Sequence, residues 1–178
     1  MIFLSTLLSF ISLGFMITAS LVKGKRMGII LTLICIGNAI QGVGYIFAGD
    51  AMGGVVACFY GALIAFVNFF FERRERTVPV WLLAVYAAVF VAINLFTSGV
   101  GDYSAIIVIA AFLAYIMGAA SKSGRMYRIW SISNSSLWCV YDIVTASYGV
   151  LPTHIILFSV SLVGMIIHDR RKKVFLGE

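Results

Sequence analysis

The chain has 178 residues, 62% of them hydrophobic and only 11% charged, and its mean hydropathy is +1.05. A soluble domain carries about a quarter charged residues, so this composition excludes an ordinary water-soluble domain, and no long polar stretch leaves room for a second one. The net charge of +6 comes from 13 Lys and Arg against 7 Asp and Glu. These basic residues are gathered in short clusters between apolar segments, which points to membrane topology and contact with anionic lipid rather than to a nucleic-acid partner.

In chain order, the apolar segments predict spans over 1–22, 28–48, 53–71, 79–97, 103–120, 128–148 and 151–168. Each is long enough to cross about 30 Å of hydrocarbon as a helix. Lys23, Lys25 and Arg26 follow the first span, and Arg73, Arg74 and Arg76 follow the third. Lys122, Arg125 and Arg128 follow the fifth, and Arg170, Arg171, Lys172 and Lys173 follow the seventh. The other three gaps hold no basic residue: Gly49 to Met52, Ser98 to Asp102, and Gly149 with Val150. Cytoplasmic loops retain Lys and Arg, so the expected topology has the N-terminus outside and the C-terminus in the cytoplasm. No basic residue precedes the first span, as a signal peptide would require. Pro79 and Pro152 stand just inside the starts of the fourth and seventh spans, where a missing N–H has no helical partner to lose. Cys35, Cys58 and Cys139 all lie inside apolar segments without metal spacing, and read as buried thiols.

The spans divide into two halves of three, residues 1–72 and 103–170, joined by a linker helix over 79–97, all within one membrane domain of 1–178. Shifting the first half by 96 residues lays one half on the other without a gap. It pairs Asn38 with Asn134 and Tyr45 with Tyr141, and aligns Gly28 with Gly124 and Arg74 with Arg170. The odd linker helix gives both halves the same orientation, which is a parallel repeat about an axis along the membrane normal. In such folds the solute site lies between the halves, near the midplane. The expected fold class is therefore all-α, a polytopic membrane protein with seven transmembrane helices.

The run Asn134-Ser135-Ser136-Leu137-Trp138-Cys139-Val140-Tyr141-Asp142, with an apolar seventh span ending in His168-Asp169-Arg170-Arg171, resembles the YgjV-type family of bacterial inner-membrane proteins. The three-one-three layout with the N-terminus outside is similar to the SWEET sugar transporters and their PQ-loop relatives. The resemblance implies a multi-pass protein of the bacterial inner membrane that handles a sugar, an amino acid or another small solute. The chain departs from the SWEET pattern in having no Pro-Gln pair and no mid-span proline.

Polar residues inside the spans are the candidate site. Asn38, Gln41 and Tyr45 share one face of the second span, and Asn134, Trp138 and Tyr141 share one face of the sixth, with Asp142 beside them. Asparagine offers a donor and an acceptor, and Trp and Tyr offer stacking surface with a polar edge. Such a lining suits an uncharged, hydroxyl-rich or heteroaromatic solute. The same asparagines can instead serve as interhelical hydrogen-bond partners, and Tyr45 and Tyr141 can instead belong to an aromatic belt. Asp142 is the one carboxylate well inside a span, with no Lys or Arg in the interior of any span to meet it; His154 stands at a level from which it can reach it. Asn68 and Asn94 read as structural. Small residues at Ala57, Gly61 and Ala65, and at Ala110, Ala114 and Gly118, read as close-packing stripes, which also permit a homo-oligomer.

These features favour a transporter of a small uncharged polar solute, such as a sugar, nucleoside or vitamin-like compound, working by alternating access. The alternative is a membrane receptor or scaffold that binds without transport. No convergent catalytic set, metal cluster or cofactor motif is expected, and the chain does not read as an enzyme.

Overall fold

A computed structural model describes residues 2–22, 26–48, 52–98, 103–144 and 151–169. Its described residues form seven helices: α1 (Ile2–Leu21), α2 (Met27–Ala48), α3 (Met52–Arg73), α4 (Val80–Ser98), α5 (Tyr103–Ala119), α6 (Gly124–Val144) and α7 (Leu151–Asp169). The three short non-basic gaps, Lys23, Lys25 and the C-terminal cluster Arg170 to Lys173 lie outside the described residues, apart from Met52 and Ser98 at helix ends.

Local signals account for the helix ends. Pro79 precedes α4 and accepts the first turn's N–H groups, from Leu82 at 3.0 Å and Leu83 at 3.3 Å. Pro152 occupies the second position of α7, where its fixed φ fits and its absent N–H costs nothing. At the start of α6, Ser123 caps the helix, its Oγ accepting the Met126 N–H at 3.3 Å. At the end of α3 the chain turns back through Glu75, whose φ of 54° is left-handed. There the Arg76 N–H reaches the Phe71 carbonyl at 2.9 Å, the helix-closing bond that glycine usually supports.

Helix packing follows a closed path. α1 packs on α2, α2 on α3, α5 on α6 and α6 on α7. The path closes through α1 with α7 and through α3 with α5, while α4 rests outside it on α3 and α5. α4 is held by a stack and a polar chain. Phe90 and Phe112 lie face to face with ring centroids 3.6 Å apart, and Tyr60 extends the stack. The Tyr60 hydroxyl donates to the Tyr86 carbonyl (3.2 Å), the Tyr86 hydroxyl to Asn68 Oδ1 (3.3 Å), and Asn68 Nδ2 to the Ala119 carbonyl (3.1 Å). Asn68 thus joins α3, α4 and α5, a structural role. Asn94 is buried within α4.

The bundle is apolar outside, and its largely apolar core also encloses polar side chains. Phe3, Phe96, Trp81 and Ile106 are exposed, Phe96 at 93%, while Ser12, Ser20, Asn68, Ser135, Asp142 and Ser161 are buried. Four helices are long and apolar enough to cross a membrane: Phe3–Leu21, Met27–Phe47, Gly54–Arg73 and Leu151–His168. α4 and α5 supply shorter apolar runs, Val80–Phe96 and Tyr103–Ala119. α6 is long but more polar, and it buries Arg128, Ser135 and Asp142.

One expectation is corrected here. Arg128 does not join a basic rim at the mouth of the sixth segment. Because Ser123 starts α6 at Gly124 rather than at 128, Arg128 falls one turn inside the helix and is only 1% exposed. Its Nη1 donates to the Val22 carbonyl at 3.1 Å, just past the end of α1. A cation there satisfies a carbonyl that the helix leaves open and complements the negative end of its dipole. Gly164 of α7 makes room for it: a Cβ at that position would meet the Ser20 carbonyl oxygen at 2.9 Å and Arg128 Cδ at 3.1 Å.

Candidate functional site

A cavity of about 150 Å³ runs inside the closed path of helices. Its wall takes residues from α1, α2, α3, α5, α6 and α7, and none from α4. Between Tyr127 and Trp138 of α6 the lining spans eleven residues, roughly 16 Å along the helix. A cavity of this volume admits a single six-membered ring.

Five of the expected residues stand on the wall: Asn38, Gln41, Tyr45, Asn134 and Trp138. The other two, Tyr141 and Asp142, stand behind it. Tyr45 lies on the wall against Gly54, where a Cβ would be 3.2 Å from its ring, and not in an outward-facing belt. The stripe residues Ala57, Gly61, Ala114 and Gly118 also face the cavity, so their small size sets the space as well as the packing.

The two asparagines make different bonds. Asn38 Nδ2 donates to the Tyr115 hydroxyl at 3.0 Å, and that hydroxyl donates in turn to the Gly61 carbonyl. Tyr115 therefore links α5 to both α2 and α3. Asn134 Nδ2 donates to the Ala111 carbonyl at 3.1 Å, within its own side of the bundle. Both amide orientations follow from the partners. Ala111 offers only a carbonyl, and the Tyr115 proton is already directed at Gly61, so each asparagine must present N–H. Gln41 Nε2 donates to Ser9 Oγ at 3.2 Å, and Ser12 Oγ donates to the Gly37 carbonyl at 2.8 Å.

At one end of the cavity His154 Nδ1 lies 2.6 Å from Asp142 Oδ2, with Asp142 buried. An ionised carboxylate only accepts hydrogen bonds, so Nδ1 carries the proton in this contact. Trp138 stacks on the His154 ring, centroids 5.5 Å apart and 17° between planes, and Tyr141 meets Trp138 edge-on at 5.4 Å. The Trp138 face toward His154 is therefore taken by the histidine ring.

At the other end, Ser161 Oγ lies 3.2 Å from Ser20 Oγ and 3.0 Å from Ser131 Oγ. The buried Tyr127 lies beside Ser20 and Ser131, and Arg128 follows one position on. This cluster ties α1, α6 and α7 together.

The chain matches no family model, no curated protein and no solved structure.

Sequence reasoning missed Tyr115, Ser12, Ser131, Ser135 and Trp130, all on the wall. Some signal was present. Tyr127, Ser131, Asn134 and Trp138 recur at four, three and four residues, one continuous helical stripe. Tyr115 gave no such signal, because it lies near the end of its apolar segment, where a tyrosine reads as part of an aromatic belt. Among the described residues, no three His, Cys, Asp or Glu side chains are grouped to hold a metal ion.

Proposed function

We propose that this chain is a seven-span membrane transporter that carries a small uncharged polar solute by alternating access. The observation that carries the reading is the cavity itself, walled by three helices from each half and skirted by α4. The packing supports two equivalent halves: the contact of α3 with α5 has its counterpart, 96 residues on, in the contact of α7 with α1. Two such interfaces on opposite sides of one cavity are what a rocking motion of one half against the other requires. The apolar exterior supports insertion with lipid as the surrounding partner, since exposed apolar surface on this scale is rare in soluble monomers. The positive clusters support a bacterial inner-membrane orientation with the N-terminus outside.

Alternating access is tested by labelling from each side of the membrane. Cys35, Cys58 and Cys139 are first replaced by alanine. Thr153→Cys and Ser131→Cys then report the two ends of the cavity to an impermeant maleimide in oriented vesicles. Transport predicts that the two positions label from opposite sides, and that a bound solute raises one rate while lowering the other. Labelling from one side only, unchanged by any solute, would indicate a receptor or scaffold instead.

A further inference from the structure

We infer that the cavity reads hydrogen-bond donors: its solute is about one six-membered ring in size, carries at least two N–H or O–H groups and bears no negative charge. This rests on the reading of the cavity as a solute site, and it names the solute by its chemistry. Asn38 and Asn134 each give one amide N–H to a protein oxygen, in orientations that their partners dictate, and keep the second N–H. Among the described residues, neither amide Oδ1 accepts a hydrogen bond, and neither is among the sealed polar atoms. Ser12 lines the cavity and gives its proton to the Gly37 carbonyl, so its oxygen is left to act as an acceptor. With Nδ1–H held by Asp142, a neutral His154 presents Nε2 as an acceptor, and among the described residues nothing engages it.

Four side chains with an acceptor to spare thus line one cavity, from α1, α2, α6 and α7. The hydroxyls of Ser135 and Thr153 serve either way, and the indoles of Trp130 and Trp138 offer N–H in return. That mixture accommodates a polyol or an amino alcohol, and it leaves a solute without donors facing several unpaired oxygens. Charge points in the same direction. With Asp142 ionised, the Asp142–His154 pair is net neutral or negative whether or not the ring is protonated, so it offers an anion no net positive charge. Arg128 is the one buried Lys or Arg among the described residues, and its guanidinium is turned to the Val22 carbonyl beyond the serine cluster.

A site built around a solute's O–H or N–H rejects the analogue that lacks it strongly, because its own polar groups are left unpaired. The test uses ring compounds of nearly equal size on the full chain in detergent, read by thermal shift. Resorcinol and 3-aminophenol carry two donor groups, 1,3-difluorobenzene keeps the shape without donors, and benzoate is an anion. The expected half-maximal concentrations for resorcinol and 3-aminophenol are lower than for the other two by about 100-fold, tenfold for each donor lost. Asn38→Leu and Asn134→Leu should each narrow that gap and also control for partition into detergent. If a leucine variant fails to fold, Ser12→Ala removes one acceptor with little change in volume and should narrow it too. Benzoate or difluorobenzene acting at or below the resorcinol concentration overturns the inference, as does silence from all four compounds. An undiminished gap in every folded variant overturns the assignment to these residues. Binding in detergent needs no transport, so a clear donor preference with one-sided maleimide labelling would retire the transporter and keep the donor rule. Two-sided, solute-responsive labelling without a donor preference would do the reverse.

Discussion

Removing one hydroxyl, in Tyr115→Phe, tests how the two sides of the bundle are joined. The substitution removes two hydrogen bonds and almost no volume. One is accepted from Asn38 Nδ2 at 3.0 Å, the other donated to the Gly61 carbonyl. Interhelical side-chain hydrogen bonds inside membranes average about 0.6 kcal/mol and reach about 1.7 kcal/mol. Two of them set a range of about 1 to 3 kcal/mol. The lower end is favoured by what is left behind. Gly61 lies inside α3, so its carbonyl keeps a helical partner, and the Asn38 amide can turn toward the cavity. The expected loss is therefore about 1 kcal/mol, near two average bonds.

The assay is reversible unfolding of the purified chain in mixed micelles, followed by circular dichroism. A double-mutant cycle with Asn38→Leu isolates the shared bond, and the expected coupling is about 0.6 to 1.7 kcal/mol. The reasoning fails if Tyr115→Phe changes stability by less than about 0.3 kcal/mol and the two substitutions add, because additivity within that margin marks independent sites. A folded Tyr115→Phe variant should also bind solute more weakly, since an Asn38 amide free to rotate no longer holds its oxygen toward the cavity.

Three further outcomes follow from the packing. Gly164→Ala would place a Cβ 2.9 Å from the Ser20 backbone oxygen, whereas Gly14 has nothing within 4 Å; thermal unfolding should show the first destabilised by about 1 to 3 kcal/mol and the second unchanged or up to about 1 kcal/mol more stable from helix propensity. Arg128→Gln withdraws the guanidinium from the Val22 carbonyl and should cost about 1 to 3 kcal/mol, while Arg125→Gln on the exposed side of α6 should stay within about 0.5 kcal/mol. Glu75→Gly relieves a left-handed backbone at φ 54° and should raise stability by up to about 1 kcal/mol in the same unfolding assay, provided the Arg76–Phe71 closing bond is kept.

Much of the frame was legible because its signals are local. Prolines mark the starts of α4 and α7, and long apolar runs separated by short gaps mark the helices. The start of α6 was less so. A basic residue in a membrane protein reads as a loop boundary, and Arg125 with Arg128 moved the expected boundary to 128, when Ser123 already caps the helix. Whether an arginine is buried is decided by what meets it. Val22 and Gly164 meet Arg128 from α1 and α7, and no spacing along α6 announces them.

The site shows the same division. Asn38 and Asn134 correspond across the 96-residue shift, and both reach the cavity wall. Their bonds do not correspond, because the residue that engages Asn38 has no counterpart. Tyr115 of α5 aligns with Ala19 of α1, and alanine offers no hydroxyl. Asn134 turns instead to the Ala111 carbonyl in its own side of the bundle. Positions that correspond in sequence therefore differ in their polar contacts. Asn38 bridges toward the opposite side through Tyr115, while Asn134 does not, so relative motion of the halves would have to break or carry the Asn38–Tyr115–Gly61 chain and would leave Asn134–Ala111 intact. The bond that distinguishes the two asparagines is thus the one whose removal should most change how readily the cavity opens, and it is invisible to any pattern that compares the two halves for their likeness.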